Sequence, residues 1–83
     1  MKYHKRYLEG HNAQRMSQIS ALLKEFRLSN GFTREEIERI HGIPKSALQR
    51  VESSDPNNIT LKTILEVADI YMMSPAELFE SVQ

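Results

Sequence analysis

Residues 31–52 read GFTREEIERIHGIPKSALQRVE, and this stretch decides the fold. Thr33 stands where a helix N-cap belongs and Glu36 follows three residues later. That is the spacing of a capping box, in which the two residues satisfy each other's orphan backbone N–H groups. Gly42 provides the point at which the chain can turn, because glycine reaches φ > 0 without steric cost. Pro44 then opens a second short helix, at a position where a missing N–H does no harm. Ile37 and either Ile40 or His41 are expected to face inward on the first helix. Ile43 lies in the turn, and Leu48 and Val51 face inward on the second helix.

Working outward, the upstream chain takes a helical period from Met16. Met16, Ile19, Leu23 and Phe26 recur at three- and four-residue steps as one apolar stripe, which Leu22 broadens. This helix is expected to begin at about Asn12 or Ser17 and to end at Leu28. Ser29, Asn30 and Gly31 then supply a left-handed cap, and Phe32 returns to the core. Downstream of Glu52, residues 53–58 read SSDPNN, turn chemistry throughout. Thr60 can cap a fourth helix with Leu61, Ile64, Leu65, Ala68 and Tyr71 as its buried face. Ser74, Pro75, Ala76 and Glu77 form a second capping box with proline at the first helical position, and start a last helix carrying Leu78 and Phe79. No period of two persists, so the expected fold is all-α, a compact bundle of five helices with short connections.

Composition sets the outer limits. The 83 residues make one small domain. The absence of cysteine removes disulfides and thiolate metal sites and fits a reducing compartment. No apolar run approaches the roughly 20 residues that span a bilayer, so a soluble, cytoplasmic protein away from membranes is expected. Eleven basic and eleven acidic side chains balance, but not locally. Lys2, Lys5, Arg6 and Arg15 against Glu9 give residues 1–15 a net charge of +3, and the remainder carries −3. Residues 1–15 therefore read as a basic N-terminal arm, either frayed or touching DNA phosphate or a second subunit. Residues 16–83 read as the helical domain.

Two short helices joined by a glycine-containing turn are the signature of a helix-turn-helix, whose second helix can enter the DNA major groove. Over residues 19–80 the chain resembles the lambda-repressor-like DNA-binding domains of the Xre helix-turn-helix family. The resemblance rests on LLKEFRLSNGF, TREEIERIHGIPKSALQRVE, ITLKTILEVADIY and SPAELF, in that order and spacing. It implies a five-helix fold that usually dimerises on double-stranded DNA. Such a protein acts as a transcriptional repressor or as the DNA-binding half of an antitoxin. Carried over by position, Thr33 and Arg34 lie near a phosphate, as does Asn58 in the loop before the fourth helix. Lys45, Ser46, Gln49 and Arg50 occupy the outward positions of the recognition helix. Gln49 suits an adenine edge, and Lys45 or Arg50 a guanine or a phosphate. Glu52 binds within the protein.

Some positions depart from the family pattern. Glu38 stands where alanine is usual and the helices cross closely, so its carboxylate must tilt out or push them apart. His41 replaces a leucine, and Met72 replaces a glycine that often follows the fourth helix. Glu35, Glu36 and Glu38 place negative charge near the DNA side, which weakens the electrostatic part of binding. An alternative is therefore a protein-interaction module or antitoxin on the same scaffold, with a toxin or other protein as partner.

Enzyme chemistry finds no support. His4, His11 and His41 have no metal-ligand spacing, and neighbouring glutamates on a helix diverge in direction. No phosphate-cradling loop or paired nucleophile is present, so no cofactor is expected. Met72, Met73, Tyr71 and Phe79 read as core filler, and His41 as half-buried. Leu22 and Leu28 stand either as ordinary surface leucines or as part of a dimer or partner surface with Leu8 or Val82.

Overall fold

The computed structural model describes residues 5–53 and 59–82, with side chains from residue 13 onward. Five α-helices follow in order: α1 (Lys5–Ser29), α2 (Arg34–His41), α3 (Lys45–Glu52), α4 (Leu61–Ile70) and α5 (Pro75–Glu80). No strand occurs among the described residues. The all-α, five-helix expectation is met.

One core gathers a residue from every helix. Leu23, Ile37, Leu48, Val51, Val67 and Leu78 are fully buried, and Ile19, Ile43, Ile64 and Ala68 complete the cluster. Each fully buried aliphatic side chain stabilises by about 1.5–3 kcal/mol relative to exposure. The α3 helix sits at the centre, packed against α1, α2 and α4. Leu48 and Val51 face inward as the sequence predicts.

The helix ends are set by local chemistry. The Thr33 hydroxyl accepts from the Glu36 N–H at 3.1 Å, and the Glu36 carboxylate accepts from the Thr33 N–H at 3.0 Å. Those hydrogen bonds hold the Glu36 carboxyl below its ordinary pKa, the backbone bond from Thr33 most of all. Phe32 and Ile37 occupy the two positions of a hydrophobic staple around this box. Thr60 and Ser74 cap α4 and α5 by accepting from the Thr63 and Glu77 N–H groups. The Glu77 carboxylate accepts from the Ser74 hydroxyl at 3.1 Å instead of from the Ser74 N–H, so the second capping box expected there is only half formed.

Two helices end in the same six-residue hydrogen-bond pattern. After α1, Phe32 N–H donates to the Arg27 carbonyl and Gly31 N–H to Leu28, with Gly31 left-handed at φ 75°. After α4, Met73 N–H donates to Ala68 and Met72 N–H to Asp69, with Met72 left-handed at φ 58°. This is the Schellman motif. At the second site a methionine holds the conformation that glycine adopts freely, against a strain of about 1–2 kcal/mol.

Several expectations need correction. The α1 helix starts at Lys5 rather than Asn12 or Ser17. Lys, Arg, Glu, Ala and Gln propagate a helix without an apolar stripe, and 25 residues give it a length of about 37 Å. Neither Ile40, 52% exposed, nor His41 faces inward. The helix reverses at Gly42, φ 75°, and Ile43 drops into the core in their place. Pro44 is the N-cap of α3 and not its first helical residue. On α4 the buried face is Ile64, Val67 and Ala68, with Leu65 and Tyr71 half-buried and Leu61 exposed. Ile59, ahead of the Thr60 cap, packs against the core where Leu61 was expected. Met73 and Tyr71 do fill the core margin, whereas Met72 and Phe79 are exposed. Leu22 packs partly against the core and Leu28 is exposed. The Leu8 side chain lies outside the described residues.

Candidate nucleic-acid interface

The outward side of α3 follows from its inward side. With Leu48 and Val51 buried, Lys45, Ser46, Gln49 and Arg50 all emerge exposed. Thr33 and Arg34 begin the neighbouring α2, Thr33 exposed and Arg34 half-buried. Asn58 lies outside the described residues.

Each helix of the pair is tied to the rest through a carboxylate. The most buried is Glu52, the last residue of α3, whose side chain is 0% exposed. Its Oε2 accepts from Arg27 Nε at 2.8 Å and its Oε1 from Arg27 Nη2 at 3.0 Å. Arg27 also donates through Nη1 to the Phe32 carbonyl at 2.8 Å. The same Oε1 accepts from Arg34 Nε at 3.2 Å, with Arg34 Nη2 at 3.1 Å. The Glu52 hydrogen bonds raise the Arg27 pKa above its ordinary value, against the opposing effect of burial. Glu52 thus binds within the protein, as the sequence reading holds, and joins α1, α2 and α3.

Glu38 tilts out rather than wedging the helices apart. Its carboxylate accepts from the backbone N–H of Lys45. Pro44 has no side-chain donor or acceptor to cap α3, so the cap comes from α2 across the turn. An acidic group at a helix N-terminus is favourable for the same electrostatic reason as an N-cap. The residue that looks misplaced in sequence therefore completes the recognition helix.

Glu35 makes the third tie. Its Oε1 lies 2.6 Å from Lys45 Nζ, with the two side chains 65% and 46% exposed. The Lys45 hydrogen bond is the leading reason that the Glu35 carboxyl sits below its ordinary pKa. Sequence reasoning counted Glu35 and Glu38 as general negative charge. Their specific partners depend on how α2 and α3 cross, which spacing within one helix does not encode.

Behind the pair, Tyr71 stacks on Phe26 with ring centroids 5.9 Å apart. Its hydroxyl is buried without a protein partner. Burial, reinforced by the Glu52 charge, pushes its pKa up to about 12.

A bundle in which a buried hub fixes a two-helix unit and leaves one polar helix face outward is a helix-turn-helix domain of the DNA-binding kind. The helix-turn-helix family model, of the Xre-like, lambda-repressor-like type, matches residues 23–78, and the chain belongs to this family. It is a DNA-binding helix-turn-helix regulator. The family's role is regulatory DNA binding rather than catalysis. No curated protein and no solved structure gives a significant match. The part of α1 upstream of Leu23 lies outside the matched segment. No helix among the described residues is long and apolar enough to cross a membrane.

Proposed function

We propose that the protein is a sequence-specific repressor that binds a palindromic operator as a symmetric dimer in the cytoplasm. The half-site centres would lie about 34–36 Å apart or a multiple of that. The observation that carries this reading is the single exposed row on α3, Lys45, Ser46, Gln49 and Arg50, opposite buried Leu48 and Val51. Gln49 and Arg50 read base edges. Lys45 joins them by leaving Glu35, since an exposed ion pair of this kind is weak. Thr33, Arg34 and Asn58 approach phosphates. Arg34 does so with the part of its side chain that Glu52 leaves exposed, 29% of its surface. The basic N-terminal segment, residues 1–15, which from Lys5 onward is the start of α1, extends the electrostatic contact.

Selection of bound sequences from a random DNA library tests the reading, with a clear palindrome expected. Gln49→Ala and Arg50→Ala should each lose about 1–3 kcal/mol of discrimination between operators. Binding by both variants as selective as wild type would refute the assigned face. The second reading, an antitoxin or protein-interaction module, draws its support from Glu35, which occupies the Lys45 ammonium. A small toxin-like protein encoded in the adjacent reading frame, which co-purifies with this chain, would favour it.

A further inference from the structure

Leu61, Leu65, Met72, Met73 and Pro75 line an open groove of about 930 Å³ between α4 and α5. Leu61 is 58% and Met72 88% exposed. Single apolar residues on a surface are ordinary, but a contiguous set along a groove marks an interaction site. Met72 adds a second observation. Its backbone holds the left-handed conformation, which penalises any side chain, yet that side chain gains almost no burial within the fold. Whatever benefits from a flexible thioether there lies outside this chain.

The rim carries charge in an ordered way. Lys62 lies in the first turn of α4 and Asp69 in the last, both bordering the groove and about two turns apart. We propose that the groove is the contact between two copies of this chain, with α4 of one laid antiparallel across α4 of the other about a two-fold axis. Lys62 of each copy then faces Asp69 of the other, the two Leu65 side chains meet near the axis, and each Met72 covers its partner's Leu61 end. A self-complementary contact requires that one helix carry both signs, one toward each end. The α4 helix does so. The groove takes none of its lining from Lys45, Ser46, Gln49 or Arg50, so the DNA face stays open in the dimer. Lys62 also lies 3.9 Å from Glu66 of its own helix, and the two Glu66 meet near the axis, so the contact is held by apolar area and only oriented by charge. This assignment rests on the dimer reading above and names its surface.

Analytical ultracentrifugation of the full chain without DNA tests it. A reversible dimer is expected, and Lys62→Glu and Asp69→Lys should each weaken it on the order of tenfold, as two attractive pairs become repulsive. Mixing the two variants should restore association, because each cross-axis pair is again opposite in sign. Glu66→Gln should tighten the dimer. Met72→Gly should weaken it while making the monomer harder to melt, which separates a lost contact from a damaged fold. A wild-type chain that sediments as a monomer at every concentration overturns the proposal, as does a dimer indifferent to these variants or a mixture that fails to reassociate. Occupation of the groove by a different protein instead of a second copy gives the monomer result. Gel shifts on the same samples keep the two readings apart. A monomer that still binds DNA sinks the interface alone, and a charge-sensitive dimer that binds no DNA supports the interface and sinks the repressor.

Discussion

Replacing Glu52 by glutamine hardly alters the shape of the side chain and removes one charge. The carboxylate is wholly buried and receives Arg27 through Nε and Nη2 at 2.8 and 3.0 Å. In the variant one of those acceptors becomes an N–H₂ group, a donor set against a donor. Arg27 is 7% exposed and its elevated pKa keeps it charged, so it retains the Phe32 carbonyl and one amide oxygen as acceptors but no compensating charge. Removing one member of a buried ion pair costs about 3–5 kcal/mol, because the other charge is left uncompensated. Arg34, more exposed, turns to water and adds little. At about 0.05–0.15 kcal/mol per residue, a chain of 83 residues has roughly 4–12 kcal/mol of total stability. Glu52→Gln should therefore remove a large share of it.

Urea denaturation followed by far-UV circular dichroism reads this loss as a fall in midpoint at unchanged slope. The double variant Arg27→Met with Glu52→Leu should recover most of it, since an apolar replacement of a buried pair is often neutral or better. If Glu52→Gln stays within about 1 kcal/mol of wild type, the triad behaves as a surface bridge and the hub assigned to α3 does not exist.

Met72→Gly, measured at a dilution where the chain is monomeric, should raise stability by about 1 kcal/mol by relieving the left-handed strain; a loss on thermal melting would contradict it. Tyr71 is neutral when folded up to pH about 12 and ionises near 10 when unfolded. Its contribution is present below pH 10 and is lost as pH rises toward 12, so Tyr71→Phe should flatten the alkaline limb of the stability profile. The same variant should gain up to about 1 kcal/mol at neutral pH by removing a buried hydroxyl without a protein partner. Glu35→Gln should release Lys45, strengthen binding to any duplex and steepen the salt dependence by about one unit of slope in a gel-shift titration. In acid, protonation of Glu35 below its lowered pKa should mimic that variant, its tie to Lys45 being present above the unfolded value near 4.5 and lost as pH falls through the folded one.

What the sequence made legible was local. The Thr33–Glu36 box, the Gly31 and Gly42 reversals and the Thr60 and Ser74 caps each depend on residue types at fixed short spacing, and each stands where it was read. The inward set on α3 was equally plain, because Leu48 and Val51 leave little choice of face. The start of α1 was hidden because helix propensity without an apolar stripe looks like a tail. Ile40 and Leu61 were misplaced because each lies two or three positions from a residue, Ile43 or Ile59, that enters the core from outside the helix. In both cases a turn rather than a period decided which residue went in. The site showed the same division. The exposure of Gln49 and Arg50 followed from the helix, whereas the partners of Arg34 and Lys45 followed from how two helices cross.

The three carboxylates around the recognition helix differ in what DNA could take from them. Glu35 holds Lys45 in the open, where a phosphate or a guanine edge competes at little cost. Glu38 holds a backbone N–H, and surrendering it would loosen the first turn of α3 by about 1 kcal/mol, the usual worth of a cap. Glu52 holds Arg27 out of water, where breaking the tie costs several times more, and also pairs with the more exposed Arg34. A duplex approaching this face should thus draw Lys45 away, leave the cap in place and meet Arg34 only through the part of its side chain that Glu52 leaves exposed. The acidic residues then lower affinity through Glu35 while Glu38 and Glu52 hold the reading helix in position. On the proposed reading, a weakened net attraction and a firmly held reading helix are compatible, because different glutamates are responsible for each.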